Sequence, residues 1–87
     1  MYIIAVYDVS QKRVAKMLKL CRRYLNWIQN SVFEGEISEL QMKQLKHEAR
    51  EIMDEDEDSF ILFSSRDERW LEKEIIGNER SSTDQFL

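Results

Sequence analysis

This 87-residue chain contains no proline, only two glycines, one cysteine and one histidine. With two glycines there is no glycine-rich loop to cradle a nucleotide phosphate. The lone Cys21 excludes an intramolecular disulfide and a cysteine-built metal cage. His47 has no partner at metal-ligand spacing and sits among charged neighbours, so it reads as an exposed helix residue. With no Ser-His-Asp set to assemble either, any hydrolytic chemistry must be carried by a bound metal. No apolar run approaches the roughly 20 residues that span a bilayer. The N-terminus also lacks the basic and then apolar pattern of an export signal. The expectation is a soluble cytoplasmic protein that does not engage a membrane.

What is present is globular in composition, with 43% hydrophobic and 34% charged residues. The length fits one domain. A chain this short buries a modest share of its surface, so a dimer sharing core or sheet edges is expected. The net charge of −4 hides an asymmetry. Residues 1–30 hold six cations against one acid, whereas residues 31–87 hold seven cations against sixteen acids. One face suits a polyanion, and the other is solvated or meets a basic partner.

Tyr2-Ile3-Ile4-Ala5-Val6-Tyr7 is a short β-branched and aromatic run that reads as a buried strand. Ser10 can cap the next element. Val14, Leu18, Cys21 and Leu25 then recur as an apolar helical stripe, while Lys12, Lys16, Lys19 and Arg23 repeat the same spacing on another face. The helix should end near Tyr24-Leu25. Residues 26–37 read as strand, with Asn30-Ser31 marking either a tight hairpin or a kink. Gly35 suggests a bulge or a close backbone approach. Ser38-Glu39-Leu40-Gln41 has the form of a capping box and opens a helix whose buried stripe is Met42, Leu45, Ala49, Ile52 and Met53. The acid run Asp54–Asp58 is expected to be a solvated loop. Phe60–Phe63 forms another short buried strand. Residues 70–76 suit a helix or a short strand equally, and residues 78–87 form a polar tail expected to be mobile.

This order gives an α+β fold, a ferredoxin-like βαββαβ sandwich over residues 1–77. Two helices cover one face of an antiparallel sheet. The other face, with Trp27, Phe33 or Phe60 as candidates, needs a cover, and a second subunit is the simplest one.

Asp8 is the only acid in the first 33 residues and stands at the mouth of a buried strand. It either caps the following helix and its turn amides, or it ligates a metal. One carboxylate is a poor magnesium site, but two brought together at a two-fold axis could activate water at a phosphodiester. The cations Lys12, Arg13, Lys16, Lys19 and Arg23 are either a solvated helix face or a set of phosphate contacts blind to base sequence. Tyr7 and Phe33 either stack on bases or belong to the core. Cys21, on the apolar stripe, reads as inert packing.

Two segments together carry a resemblance: Tyr2-Ile3-Ile4-Ala5-Val6-Tyr7-Asp8-Val9-Ser10, and Trp27-Ile28-Gln29-Asn30-Ser31-Val32-Phe33-Glu34-Gly35-Glu36. They resemble the CRISPR-associated Cas-two family over roughly residues 1–77. The resemblance implies a ferredoxin-like homodimer with a short extra C-terminal strand, here within residues 70–76, that pairs with the partner subunit's sheet. It implies that Asp8 matches the family's metal-binding and catalytic aspartate, one from each subunit, with Mg2+ or another divalent cation. The family's helix arginine maps onto Arg13. Trp27 departs from the pattern, since many relatives carry arginine there. Members are described as metal-dependent nucleases on RNA or DNA, and as the central dimer that bridges Cas-one integrase dimers and holds the spacer duplex. The expected function is therefore a homodimeric adaptation protein that binds double-stranded DNA and bridges the Cas-one integrase, with endonuclease activity on DNA or single-stranded RNA as the enzymatic counterpart. A ferredoxin-like regulatory module that binds a small ligand or RNA without catalysis is the reading from another class.

Overall fold

Six elements form in the order that the hydrophobic patterning predicts. The computed structural model describes residues 1–67, 69, 71–78 and 80. Strand β1 spans Tyr2–Asp8, helix α1 Gln11–Tyr24, strand β2 Asn26–Gln29, strand β3 Val32–Glu36, helix α2 Glu39–Ile52 and strand β4 Ser59–Ser65. The sheet order is β2-β3-β1-β4, and every neighbouring pair is antiparallel. β1 lies between β3 and β4, which is why its sequence reads as a continuous apolar run.

β2 and β3 form a hairpin, and Asn30 makes its turn with a positive φ of 45°. Asn tolerates this left-handed conformation better than most residues, and the Trp27 indole N–H donates to its carbonyl at 3.0 Å. The irregularity in this pair falls between Trp27 and Gln29, while Gly35 keeps regular register opposite Ile3. Gly35 marks a close approach instead: a Cβ there would lie 3.2 Å from Leu25 Cδ2.

α1 buries Met17, Leu20 and Cys21, whereas Val14 is 37% exposed. Cys21 and Leu25 of the expected stripe are buried and Leu18 packs against the core, so the buried face widens toward Met17 and Leu20 and only Val14 is left out. The longer Met17 and Leu20 reach the sheet where Val14 does not. α2 has the expected capping box: Ser38 Oγ accepts from the Gln41 N–H at 3.1 Å, and Gln41 Oε1 accepts from the Ser38 N–H at 2.9 Å. Met42, Leu45 and Ala49 form its buried face.

The two faces of the sheet differ sharply. Ile3, Ala5, Tyr7 and Phe33 are buried under the helices. Cross-strand partners share a face, so Trp27 and Leu62 join Ala5 and Phe33 there, and Phe60 joins Tyr7. Trp27, Phe33 and Phe60 therefore all turn toward the helices, not toward the opposite face. That opposite face instead carries Ile4, Val6, Val32, Ile61 and Phe63, with Ile61 at 50% and Phe63 at 58% exposure. Residues 71–78 form no strand within this chain. A strand needs a ladder partner, and the C-terminal strand expected within 70–76 has none among the described residues of a single copy. Lys73 pairs with Glu34 instead, and Lys73–Ile76 line a cleft with Ile4, Ile28 and Val32. The rest of the expected tail, residues 79 and 81–87, and Trp70 lie outside the described residues.

Candidate metal and nucleic-acid site

Asp8 closes β1, and alternation along the strand puts it on the open face with Ile4 and Val6. It is held from three directions. The Tyr7 N–H before it donates to the Ser31 carbonyl at 3.2 Å, its own backbone pairs with Ser59, and the Ser10 N–H two residues on donates to Asp58 Oδ1 at 2.8 Å. Its side chain is exposed and takes part in no ion pair or hydrogen bond among the described residues. A hard, unpartnered carboxylate suits a hard divalent cation. One chain supplies only this ligand, and no cluster of three metal-binding side chains occurs among the described residues. The donor chemistry fits a metal only if a second copy contributes its own Asp8.

Of the basic residues predicted on α1, Lys12, Lys16 and Lys19 are exposed and form no ion pair among the described residues. They share one helical stripe. Arg23 lies on the same stripe but reaches across to Glu48 of α2 at 3.3 Å, beside a Tyr24 hydroxyl that donates to the same carboxylate at 2.5 Å. Arg13 points elsewhere. Its Nε donates to Asp58 Oδ2 at 2.5 Å and its Nη2 to Glu57 at 2.6 Å, with its side chain only 14% exposed. Those hydrogen bonds hold its guanidinium protonated even more firmly than usual.

Asp58 is the functional-looking residue that sequence reasoning placed wrongly. The acid run was expected to be solvated throughout, yet the Asp58 side chain is fully enclosed. Two backbone donors and a fork from Arg13 account for this, and Arg13 first of all holds its carboxyl well below the usual range. A signal was present: Arg13 alone of the predicted set falls off the Lys12-Lys16-Lys19-Arg23 stripe, and Asp58 is the last acid before a strand. Ser10 sits at the N-cap of α1 without a side-chain cap, and the first turn holds no acid. Asp58 and Glu57 supply that negative charge from the far end of the chain.

Tyr7 and Phe33 stack on each other, with ring centroids 6.1 Å apart and an interplanar angle of 25°. Phe33 has no exposed surface and Tyr7 only 5%. Both rings belong to the core and have no face to offer a base. Burial also pushes the Cys21 thiol up to about 12, which makes it inert packing. His47 is exposed and pairs with Glu51 one turn on.

A conserved-domain description named CRISPR associated protein Cas2 matches residues 1–73. This chain belongs to the Cas2 family. A protein of Fusobacterium nucleatum called CRISPR-associated endoribonuclease Cas2 is 48% identical over 92 residues, covering 100% of this chain and 87% of the relative. A Dictyoglomus turgidum protein of the same name is 47% identical over 87 residues, covering 100% of both. A crystal structure described as cas2 superposes with a TM-score of 0.85 at 40% identity, over 93% of this chain and 91% of that one. Streptococcus pyogenes Cas2 superposes with a TM-score of 0.72 at 31% identity, over 84% and 98%. The four-stranded antiparallel sheet with two helices is the fold of these Cas2 structures. Among the described residues, no helix is long and apolar enough to cross a membrane.

Proposed function

We propose that this Cas2 chain is a metal-dependent endonuclease that cleaves RNA as a homodimer, with one Asp8 from each subunit forming the metal site. One observation carries the reading: an exposed Asp8, without a side-chain partner among the described residues, stands at the end of a sheet face whose Ile61 and Phe63 are uncovered. Apposing two such faces covers the apolar residues and brings two carboxylates to one cleft. The endoribonuclease names of the relatives support the same chemistry and point to RNA. Bound Mg2+ would supply a water acidified toward hydroxide and positive charge to offset the negative charge developing on the oxygens of pentacoordinate phosphorus. Asp8 holds it; Lys12, Lys16 and Lys19 hold the phosphate backbone of the strand. The test is cleavage of single-stranded RNA and duplex DNA by wild type and Asp8→Ala, with Mg2+ and with chelator. Mg2+-dependent activity that disappears in the variant is expected; equal activity in both would remove Asp8 from the chemistry.

The α1 stripe favours a second reading that is compatible with the first. Three exposed lysines without ion pairs among the described residues fit duplex phosphates, so the dimer would bind double-stranded DNA and bridge Cas-one integrase dimers during spacer acquisition. In that role Asp8→Ala leaves spacer integration intact, and failure of the dimer to shift spacer-length duplex at low salt, with the integrase present, would overturn it.

A further inference from the structure

The β1–α1 turn that presents Asp8 is only two residues long, Val9 and Ser10. Val9 packs against the core and the Ser10 carbonyl accepts the Arg13 N–H at 2.8 Å, but Ser10 makes no side-chain cap, so its own N–H needs a distant acceptor. That acceptor is a residue 48 positions away. Asp58 Oδ1 accepts from the Ser10 N–H at 2.8 Å and from Arg13 Nη2 at 3.2 Å. Asp58 Oδ2 accepts from Arg13 Nε at 2.5 Å and from the Asp54 N–H at 3.0 Å. These four bonds use the capacity of a carboxylate, and the side chain is shut off from water. Asp58 also adjoins Ser59, whose backbone pairs with Asp8. The same carboxylate thus ties together the 54–58 loop that leads into the strand beside Asp8, the turn after Asp8 and the first turn of α1.

We propose that Asp58, acting through Arg13 and the Ser10 amide, is a positioning residue that fixes the Asp8 carboxylate for metal binding and catalysis. Arg13 serves this lock, and the phosphate backbone is left to the lysines on the neighbouring stripe. The inference rests on the reading of Asp8 as the metal ligand. It predicts a particular kinetic signature. Asp58→Asn keeps an acceptor for the Ser10 amide but removes the charge that orients Arg13. A carboxylate displaced by a fraction of an ångström loses productive geometry while substrate contacts survive.

The experiment is steady-state RNA cleavage by the intact protein, with Mn2+ binding followed through paramagnetic broadening of the Asp8 amide. Asp58→Asn should lower kcat about tenfold and weaken Mn2+ binding by about the same factor, with KM changed less than about twofold. Asp56→Asn removes an equal charge from the same acid run outside the lock and should leave kcat unchanged. The double variant Arg13→Gln/Asp58→Asn restores a neutral hydrogen-bonded pair and should recover part of kcat. Arg13→Lys, which keeps the charge but loses the fork, gives the same readout if Asp58→Asn does not fold. Unchanged kcat and Mn2+ affinity in a folded Asp58→Asn would overturn the lock and leave the nuclease reading standing. A wild type that binds Mn2+ at Asp8 without cleaving RNA would overturn the nuclease reading alone, with the lock then judged on Mn2+ affinity. A wild type that does neither overturns both.

Discussion

Two aspartates share one end of the sheet and have been put to opposite uses. Asp8 ends β1, and Asp58 directly precedes the residue that pairs with it. Asp58 is enclosed and saturated with donors, while Asp8 is exposed and has no partner among the described residues. The residue type is identical, so local donors alone decide the difference. A carboxylate supplied with an arginine fork and two amides is spent on structure. One held only by its backbone stays available to a ligand.

The sharpest way to break this contrast is to neutralise Asp8. Asp8→Asn should cost about a hundredfold or more in Mg2+-dependent cleavage, since it removes the metal ligand proposed for each chain. Its melting temperature should stay at the wild-type value, because no hydrogen bond or ion pair is lost. A melting temperature that fell as far as that of Asp58→Asn would make Asp8 a structural residue like its neighbour.

The next test removes the proposed twin of Asp8 by separating the subunits. Ile61→Ser with Phe63→Ser strips the two most exposed apolar side chains from the open β4 face. Self-association measured by sedimentation should weaken by at least about tenfold, and cleavage should fall with it. Stability of the isolated chain should fall by only about 2 kcal/mol for the pair, because each side chain is about half exposed in one copy. By contrast, Phe33→Ala on the covered face should cost about 3–5 kcal/mol. Full activity in a monomeric double variant would mean that one Asp8 is enough.

Much of this was readable in the sequence. The run Tyr2–Tyr7 fixed a central strand because it is apolar on both faces, and Ser38 with Gln41 fixed the start of α2 because a capping box is a local motif. Asp8 stood out as the only acid before Glu34. What escaped depended on distance along the chain. Asp58 looks like any member of an acid run until Arg13, 45 residues away, is folded against it. Val14 suited the apolar stripe by periodicity, but burial depends on where the sheet lies, and periodicity alone cannot orient a helix to within one residue step. The direction of Trp27, Phe33 and Phe60 was set by cross-strand register, which single strands do not declare.

Acid titration measures the strength of the Asp58 lock. Arg13, with the Ser10 and Asp54 amides, holds the folded-state Asp58 carboxyl well below the usual range, whereas the unfolded chain returns it to about 3.9. The unfolded state therefore takes up the proton first as pH falls. The stabilisation is fully present above the unfolded value and is lost as pH descends through about 4 toward the folded one. Urea unfolding of wild type and Asp58→Asn should show a stability gap that is constant from neutral pH to about 5 and narrows below about 4. A gap that widened on acidification would contradict the pairing.

The smallest effect expected separates cations that are free from the one that Asp58 holds. Each of Lys12, Lys16 and Lys19 changed to Gln should reduce the slope of log K against log salt for single-stranded RNA by about 0.7, the signature of one lost phosphate contact. Arg13→Gln should leave that slope unchanged, because its guanidinium is already engaged by Asp58 and Glu57. Asp58→Asn frees most of that fork, so its slope should match the wild type or steepen. If Arg13→Gln lowered the slope as much as the lysines do, Arg13 would be touching phosphate. The lock would then open when RNA binds, and the contrast between the two aspartates would hold only for the free protein.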